Sequence, residues 1–253
     1  MQPAQSHRPG PHREELTQVA ELAGRYGVRV VTDEILAPLT YPGVRHVPFP
    51  SLGHEAAAGS VALVSASKAW NIAGLKAARR PYRRGADPRG GQRGGRPGVL
   101  ASEAAFTDGG PWLRQLLTGL DANRRLLTAL LAEHLPGIGY HPPQAGYVAW
   151  LDCRALGWDD DPAEVFLRHG RVGLSSGTRF GPPGHGFVRL NFATAPDRLA
   201  EAVHRMTTAG QRRDRRHTTV SMRCTTTALT LPLPIRIVVT PSINPRSTAT
   251  TGR

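Results

Sequence analysis

The chain has 253 residues, 40% hydrophobic and 6% aromatic, with 28 Gly, 22 Pro and a formal net charge of +13, enough for one large or two modest domains. No apolar run approaches the ~20 residues of a membrane span, no secretory apolar stretch opens the chain, and Cys153 and Cys224 form neither a metal-ligand spacing nor a disulfide framework, a pattern expected of a cytoplasmic protein. The charge alone suggests nucleic acid, yet residues 14–76 and 98–210 hold 15 Lys and Arg against 17 Asp and Glu, and all the positive excess sits in 1–13, 77–97 and 211–253.

Residues 1–13 are rich in Pro, His, Gln and Arg and show no periodicity. Over 14–26, Leu16, Val19, Ala20, Ala23 and Tyr26 recur on one face behind acids in the first turn, which predicts an amphipathic helix. Gly27 punctuates it. Residues 28–32 read as a strand that leaves Asp33 just past its C-terminal end. A Pro/Gly-rich connection over 37–60 carries His46 and His54, both expected as solvated loop histidines.

Val61-Ala62-Leu63-Val64 predicts a short buried strand, followed by Ser65-Ala66-Ser67, then Lys68 and a helix-like segment closed by Ala73-Gly74-Leu75. Lys68 and Lys76 are the only lysines among 32 basic residues. Open α/β sheets place ligands at the C-terminal ends of their strands. A partly desolvated amine there loses its proton more easily and can condense with an aldehyde. The hydroxyls before it could hold a phosphate.

Residues 77–97 hold seven Arg, five Gly and one acid with no apolar face, which predicts a poorly packed or disordered segment. Its text reads either as an RGG-like nucleic-acid segment or as a shifted reading frame of a GC-rich gene. Residues 99–135 are expected to be helical, with Trp112, Leu113, Leu116, Leu117, Leu120, Leu127, Leu130 and Leu131 as an apolar stripe ended by Pro136-Gly137. A strand over 146–152, a helix over 161–169, a strand over 171–175, a loop over 177–181, a strand over 187–192 and a closing helix over 196–206 follow. Residues 211–253 read as a Thr/Arg/Pro-rich tail, with 231–240 as an unpaired β-prone stretch.

Three of these stretches carry a resemblance. Ser65-Ala66-Ser67-Lys68-Ala69-Trp70-Asn71-Ile72-Ala73-Gly74-Leu75 resembles the cofactor-lysine motif of fold-type I pyridoxal-phosphate (PLP) enzymes, and within them the cystathionine β-lyase branch of the class I/II aminotransferases. Val30-Val31-Thr32-Asp33-Glu34-Ile35 with Pro42-Gly43-Val44-Arg45-His46 resembles the segment whose aspartate lies beneath the pyridine ring. Gly186-Phe187-Val188-Arg189-Leu190-Asn191-Phe192-Ala193 resembles the segment whose arginine binds the substrate carboxylate. The three occur in the family's order and cover roughly 14–76 and 98–208.

The resemblance implies an α/β fold: a PLP-dependent transferase-like large-domain remnant, three-layer αβα, over 14–110, with a smaller α+β C-terminal domain over 111–210. Residues 1–13 would be non-native or disordered, 211–253 a low-complexity tail, and the loop over 177–181 would lie near the substrate. It implies Lys68 as the cofactor lysine and proton carrier, Asp33 at the ring nitrogen, Ser65, Ser67 and Lys76 at the phosphate, and Arg189 at the substrate carboxylate. It implies carbon–sulfur β-elimination from cystathionine or a cysteine S-conjugate, with amino transfer to a 2-oxo acid as the alternative, in a homodimer. A nucleic-acid-binding role through 77–97 and the tail is the competing reading of another class. The sequence departs from the family in three places: the N-terminal portion of the family's chain is missing, no turn asparagine stands before Glu14, and Leu36 replaces a common ring-hydroxyl partner.

Overall fold

The computed structural model describes residues 12–75, the short strands at 78–79 and 92–93, and residues 96–223, with side chains described as far as 212. The chain divides into two compact units, Met1–Arg215 and Arg216–Arg253.

Helix α1 (Arg13–Arg25) starts where the Glu15 carboxylate accepts the His12 N–H at 2.8 Å, filling one of the donors a helix start leaves open. Leu16, Ala20 and Ala23 are half-buried, as its period predicts. Val19 and Tyr26 of the same expected face are 47% and 72% exposed. Strand β1 (Val30–Asp33) pairs in parallel with β2 (Ser60–Leu63), Val30 opposite Ser60 and Asp33 opposite Leu63. Between them run turns at Ala37–Leu39 and Phe49–Leu52 and the short helix α2 (His54–Gly59). After β2 the expected helix-like segment is a series of turns, because Asn71 takes a left-handed φ of 55° and breaks any helix there.

Strands β3 (Ala78–Arg79) and β4 (Gln92–Arg93) form a two-residue antiparallel ladder. The rest of 77–95, with Lys76, and residues 224–253 lie outside the described residues. The expectations made for them therefore find no counterpart in the structure.

Helices α3 (Arg96–Asp108) and α4 (Gly110–His134) realise the long helical stretch, broken at Gly109. A Cβ at Gly109 would strike the Trp70 indole and the Ala105 carbonyl, so only glycine permits the break at this approach. The four-stranded antiparallel sheet has the order β5 (Gly139–Tyr140), β6 (Val148–Asp152), β8 (Phe187–Asn191), β7 (Ser175–Ser176). Residues 171–174 were expected to extend β7 and do not. Arg171 instead caps α5 (Pro162–Gly170) in a left-handed conformation, and pairing begins only at Ser175. Helix α6 runs over Pro196–Arg223, well past the expected end near Met206.

Register decides what each sheet face does. Ala149 pairs with Leu190 and Leu151 with Val188, and all four are buried among Leu120, Leu127 and Leu131 of α4, Phe166 of α5 and Leu199, Val203 and Met206 of α6. The alternate positions, Trp150 opposite Arg189 and Asp152 opposite Phe187, face the other way. On that second face Arg189 is exposed, while Trp150 and Phe187 are buried.

Candidate active site

The parallel register of β1 with β2 sets their C-terminal ends side by side, and the Glu34 N–H extends the pairing to the Leu63 carbonyl at 2.9 Å. Asp33 stands exposed at that edge; its Oδ1 accepts the Ile35 N–H at 3.2 Å. Its neighbour Glu34 turns inward. One Glu34 oxygen accepts the Phe49 N–H at 3.0 Å and the Thr32 hydroxyl at 3.1 Å, and the other lies 3.3 Å from His46 Nε2. Two of these contacts, from Phe49 and His46, tie the turn around residues 46–49 to the strand end, and the third holds the carboxylate against Thr32 of β1. His46, expected as a solvated loop residue, is thus half-buried in a structural pair, whereas His54 is exposed at the start of α2.

Beyond β2, Ser65 Oγ accepts the Ser67 N–H at 3.2 Å and donates to Ser67 Oγ at 3.0 Å, while the Trp70 N–H closes on the Ala66 carbonyl at 3.0 Å. Ala66 and Ala69 are fully buried, and Lys68 between them is exposed, not partly desolvated as the sequence suggested. The small alanines let the backbone press into the core, and the lysine is left pointing away from it. Asp33, Ser65, Ser67 and Lys68 therefore share one strand-end edge.

This edge is bound firmly to the rest of the unit. Ala69 belongs to the same core as Leu120 and Leu127. The Trp70 indole donates to the Gly109 carbonyl at 2.9 Å and meets Phe106 edge-on at 4.9 Å. On the β1 side, the Gly146 N–H donates to Leu39 at 2.9 Å, the Tyr41 N–H to Gln144 at 3.0 Å, and the Tyr41 hydroxyl to Gly146 at 2.6 Å. Burial raises the Tyr41 phenol and keeps it a proton donor, although the Arg124 guanidinium lies 4.2 Å over its ring and opposes the shift. Arg124 is itself held by Asp121 at 2.6 Å and by the Pro143 carbonyl at 3.0 Å.

Arg189 lies on the other sheet, exposed on the outer face of β8. Its guanidinium sits 4.7 Å over the Phe180 ring, and Nη2 donates to Ser175 Oγ at a long 3.5 Å. Asn123 anchors the chain leaving this strand, since its buried amide donates to the Phe192 carbonyl at 2.9 Å and to Thr194 at 2.7 Å. Cys153 is buried and its thiol pushed up to about 12, chiefly by burial, so it is a core residue without nucleophilic character. Among the described residues no group of three or more His, Cys, Asp or Glu could hold a metal. No described helix is long and apolar enough to cross a membrane.

Sequence reasoning missed Trp150, Glu34 and Asn123, and reached Phe180 only as part of the loop over 177–181. Of the three missed, only Glu34 carried a signal, as an acid adjoining Asp33 in a strand-end position. Trp150 and Asn123 make contacts remote in sequence, which no local pattern displays.

A family model for aminotransferase class I and II matches residues 11–206. The chain is 49% identical over 223 residues to a Mycobacterium tuberculosis protein named "Putative cystathionine beta-lyase", covering 76% of this chain and 53% of that one. It is 38% identical over 207 residues to cystathionine beta-lyase PatB of Bacillus subtilis, covering 78% and 54%. A solved structure from Corynebacterium diphtheriae, described as a "putative plp-dependent beta-cystathionase", matches with TM-score 0.73 at 35% identity over 79% of this chain and 55% of that one. The chain spans about half the length of the curated relatives it matches.

Proposed function

The chain belongs to the class I and II aminotransferase family, and on that footing we propose that it carries the lysine, ring-facing aspartate and carboxylate-binding arginine of a PLP-dependent carbon–sulfur β-lyase. The observation that carries this reading is the parallel register of β1 and β2, with Asp33 ending one strand and Lys68 five residues beyond the other. The names of its relatives support the lyase over the aminotransferase.

The donor set at the strand-end edge fits the cofactor. An exposed carboxylate, an exposed amine, and a buried and a half-buried hydroxyl joined by a hydrogen bond lie at or just past the C-terminal ends of two paired strands. When bound, PLP supplies an electron-withdrawing ring that makes the substrate Cα–H acidic. Asp33 would keep a proton on the pyridine nitrogen, and Ser65 and Ser67 would bind phosphate oxygens. Lys76 would join them as a point charge. The Lys68 amine would take the proton from the substrate Cα, after which the Cβ–S bond breaks and a thiolate leaves. Arg189 would hold the α-carboxylate with its charged donors and so orient the Cα–H toward Lys68. Cystathionine or a cysteine S-conjugate is the substrate class, a homodimer the assembly and the cytoplasm the compartment.

The test is thiol release from cystathionine with added PLP, run beside amino transfer to a 2-oxo acid. Thiol release lost in Lys68→Ala supports the lyase. Transfer without thiol release would replace it by the aminotransferase. No reaction of either kind, together with no Lys68-dependent pyridoxal labelling, would overturn the assignment.

A further inference from the structure

Arg189 is an exposed cation held in an unusual way. Among the described residues no carboxylate pairs with it, and its one hydrogen bond, to Ser175, is 3.5 Å long. What lies against the guanidinium is the face of Phe180, with the carbon centre 4.7 Å from the ring centroid. That ring is itself supported. Phe180 meets Trp150 edge-on at 5.4 Å, and Trp150, only 4% exposed, stacks on Phe187 at 5.6 Å and 17°.

The loop bearing Phe180 is fastened at both ends. The Ser176 hydroxyl donates to Asp161 at 2.5 Å, and Asp161 also caps α5 through the Ala163 N–H at 2.9 Å. Gly177 and Gly184 cross so closely that a Cβ on either would strike the other's backbone. Between them the Gly181 N–H donates to Thr178 at 3.2 Å and the Gly184 N–H to Gly181 at 3.0 Å. A loop tied in this manner presents its aromatic ring in a fixed place.

We propose that Phe180 is the positioning residue for Arg189: its ring holds the face of the guanidinium and leaves the edge donors for a substrate carboxylate. The proposal rests on the reading of Arg189 as the carboxylate site. An acidic partner would occupy the fork and neutralise its charge. A ring binds the cation through its π-face and consumes no N–H donor. The orientation is then set before the ligand arrives, which lowers the ordering cost of binding.

The experiment follows the Arg189 Nε–Hε resonance of the full isotope-labelled chain, assigned by its disappearance in Arg189→Lys. The wild type and Phe180→Tyr should show this proton shifted by the ring current, and Phe180→Leu should return it to the range of ordinary arginines. Acetate, used as the carboxylate probe and followed at the same resonance, should bind about two- to fivefold more weakly to Phe180→Leu than to wild type or Phe180→Tyr. If Phe180→Leu does not fold, Phe180→Met takes its place with the same expectation. Equal acetate affinity in wild type and Phe180→Leu, or an unshifted wild-type proton, would overturn the role of Phe180 alone. Acetate that leaves the Arg189 resonance unmoved in the wild type would instead overturn the carboxylate reading.

Discussion

Replacing Asn123 tests how the end of β8 is tied to the core. The Asn123 amide, 5% exposed, donates from α4 to Phe192 and Thr194, the residues just past β8. Asn123→Ala removes two neutral hydrogen bonds at about 1 kcal/mol each. The full penalty for an orphaned carbonyl does not apply, because the Phe192 oxygen keeps the Thr194 N–H at 2.9 Å and Thr194 itself is exposed. The expected loss is therefore about 2 kcal/mol, read as a lower urea midpoint at unchanged m. Asn123→Asp should cost more at neutral pH, since an ionised carboxylate would face two carbonyl oxygens. Its protonated form could still donate once, so the folded-state pKa is raised, and stability is retained in acid and lost as pH rises through it. A loss under about 0.5 kcal/mol for Asn123→Ala, with a pH-independent Asn123→Asp, would refute this account of the anchor.

Leu127→Ala, at a fully buried position, should cost about 2–5 kcal/mol of unfolding free energy. Gly177→Ala should lose about 1–3 kcal/mol, since a Cβ there meets the Gly184 and Phe187 backbone, and near-ultraviolet dichroism from Trp150 should change with it. Cys153 and Tyr140, each raised by burial to about 12 from 9.0 and 10.0, keep their protons in the fold while the unfolded chain loses them. Stability should be whole below about pH 9 and fall as pH rises toward 12, with Cys153→Ala flattening the first part of that fall; a urea midpoint constant across the window would contradict this. Borohydride-fixed pyridoxal label should map to Lys68 and vanish in Lys68→Ala, and should need high PLP, since Leu36 offers the ring hydroxyl no hydrogen bond and the loss of one charge-assisted bond, about 1.5–3 kcal/mol, is tenfold or more in affinity. Equal labelling of both proteins would make Lys68 an ordinary surface lysine.

The parts of the fold legible in the sequence were those set by local pattern. Val61-Ala62-Leu63 of the apolar run fall in β2, though only Ala62 of them is buried, the alternation around Arg189 became β8, and the leucine stripe became α4 with Leu120, Leu127 and Leu131 inside. Where local pattern and tertiary context disagreed, context won. Val19 and Tyr26 match the inward face of α1 yet remain exposed, in a helix whose main contacts among the described residues are α2 and the turn at Phe49–Leu52. Leu113 to Leu131 suggested an apolar seam throughout, whereas Asp121 and Asn123 are buried within the same helix because their partners come from the arginines beside them and from the strand end. The closing helix ran on through a polar stretch that hydrophobic periodicity does not mark.

The candidate site was legible as residues but not as a juxtaposition. Asp33 and Lys68 could be placed at strand ends from the sequence; that the strands are adjacent and parallel is a fact of register. The link to Arg189 is longer. Six residues past Asp33, the Leu39 carbonyl takes the Gly146 N–H, and two residues on from Gly146 the chain enters β6, where Trp150 stands opposite Arg189. On the other side Ala69, next to Lys68, packs into the core that α4 shares with the inner face of that same sheet. Two separate routes, one of backbone hydrogen bonds and one of apolar packing, thus join the strand-end edge to the arginine face. A displacement of α4 would strain the packing route directly and the other through Arg124, which lies over the Tyr41 ring and donates to the Pro143 carbonyl. Leu127→Ala should therefore shift the Arg189 Nε–Hε resonance while the chain is still folded; an unmoved resonance would contradict the coupling.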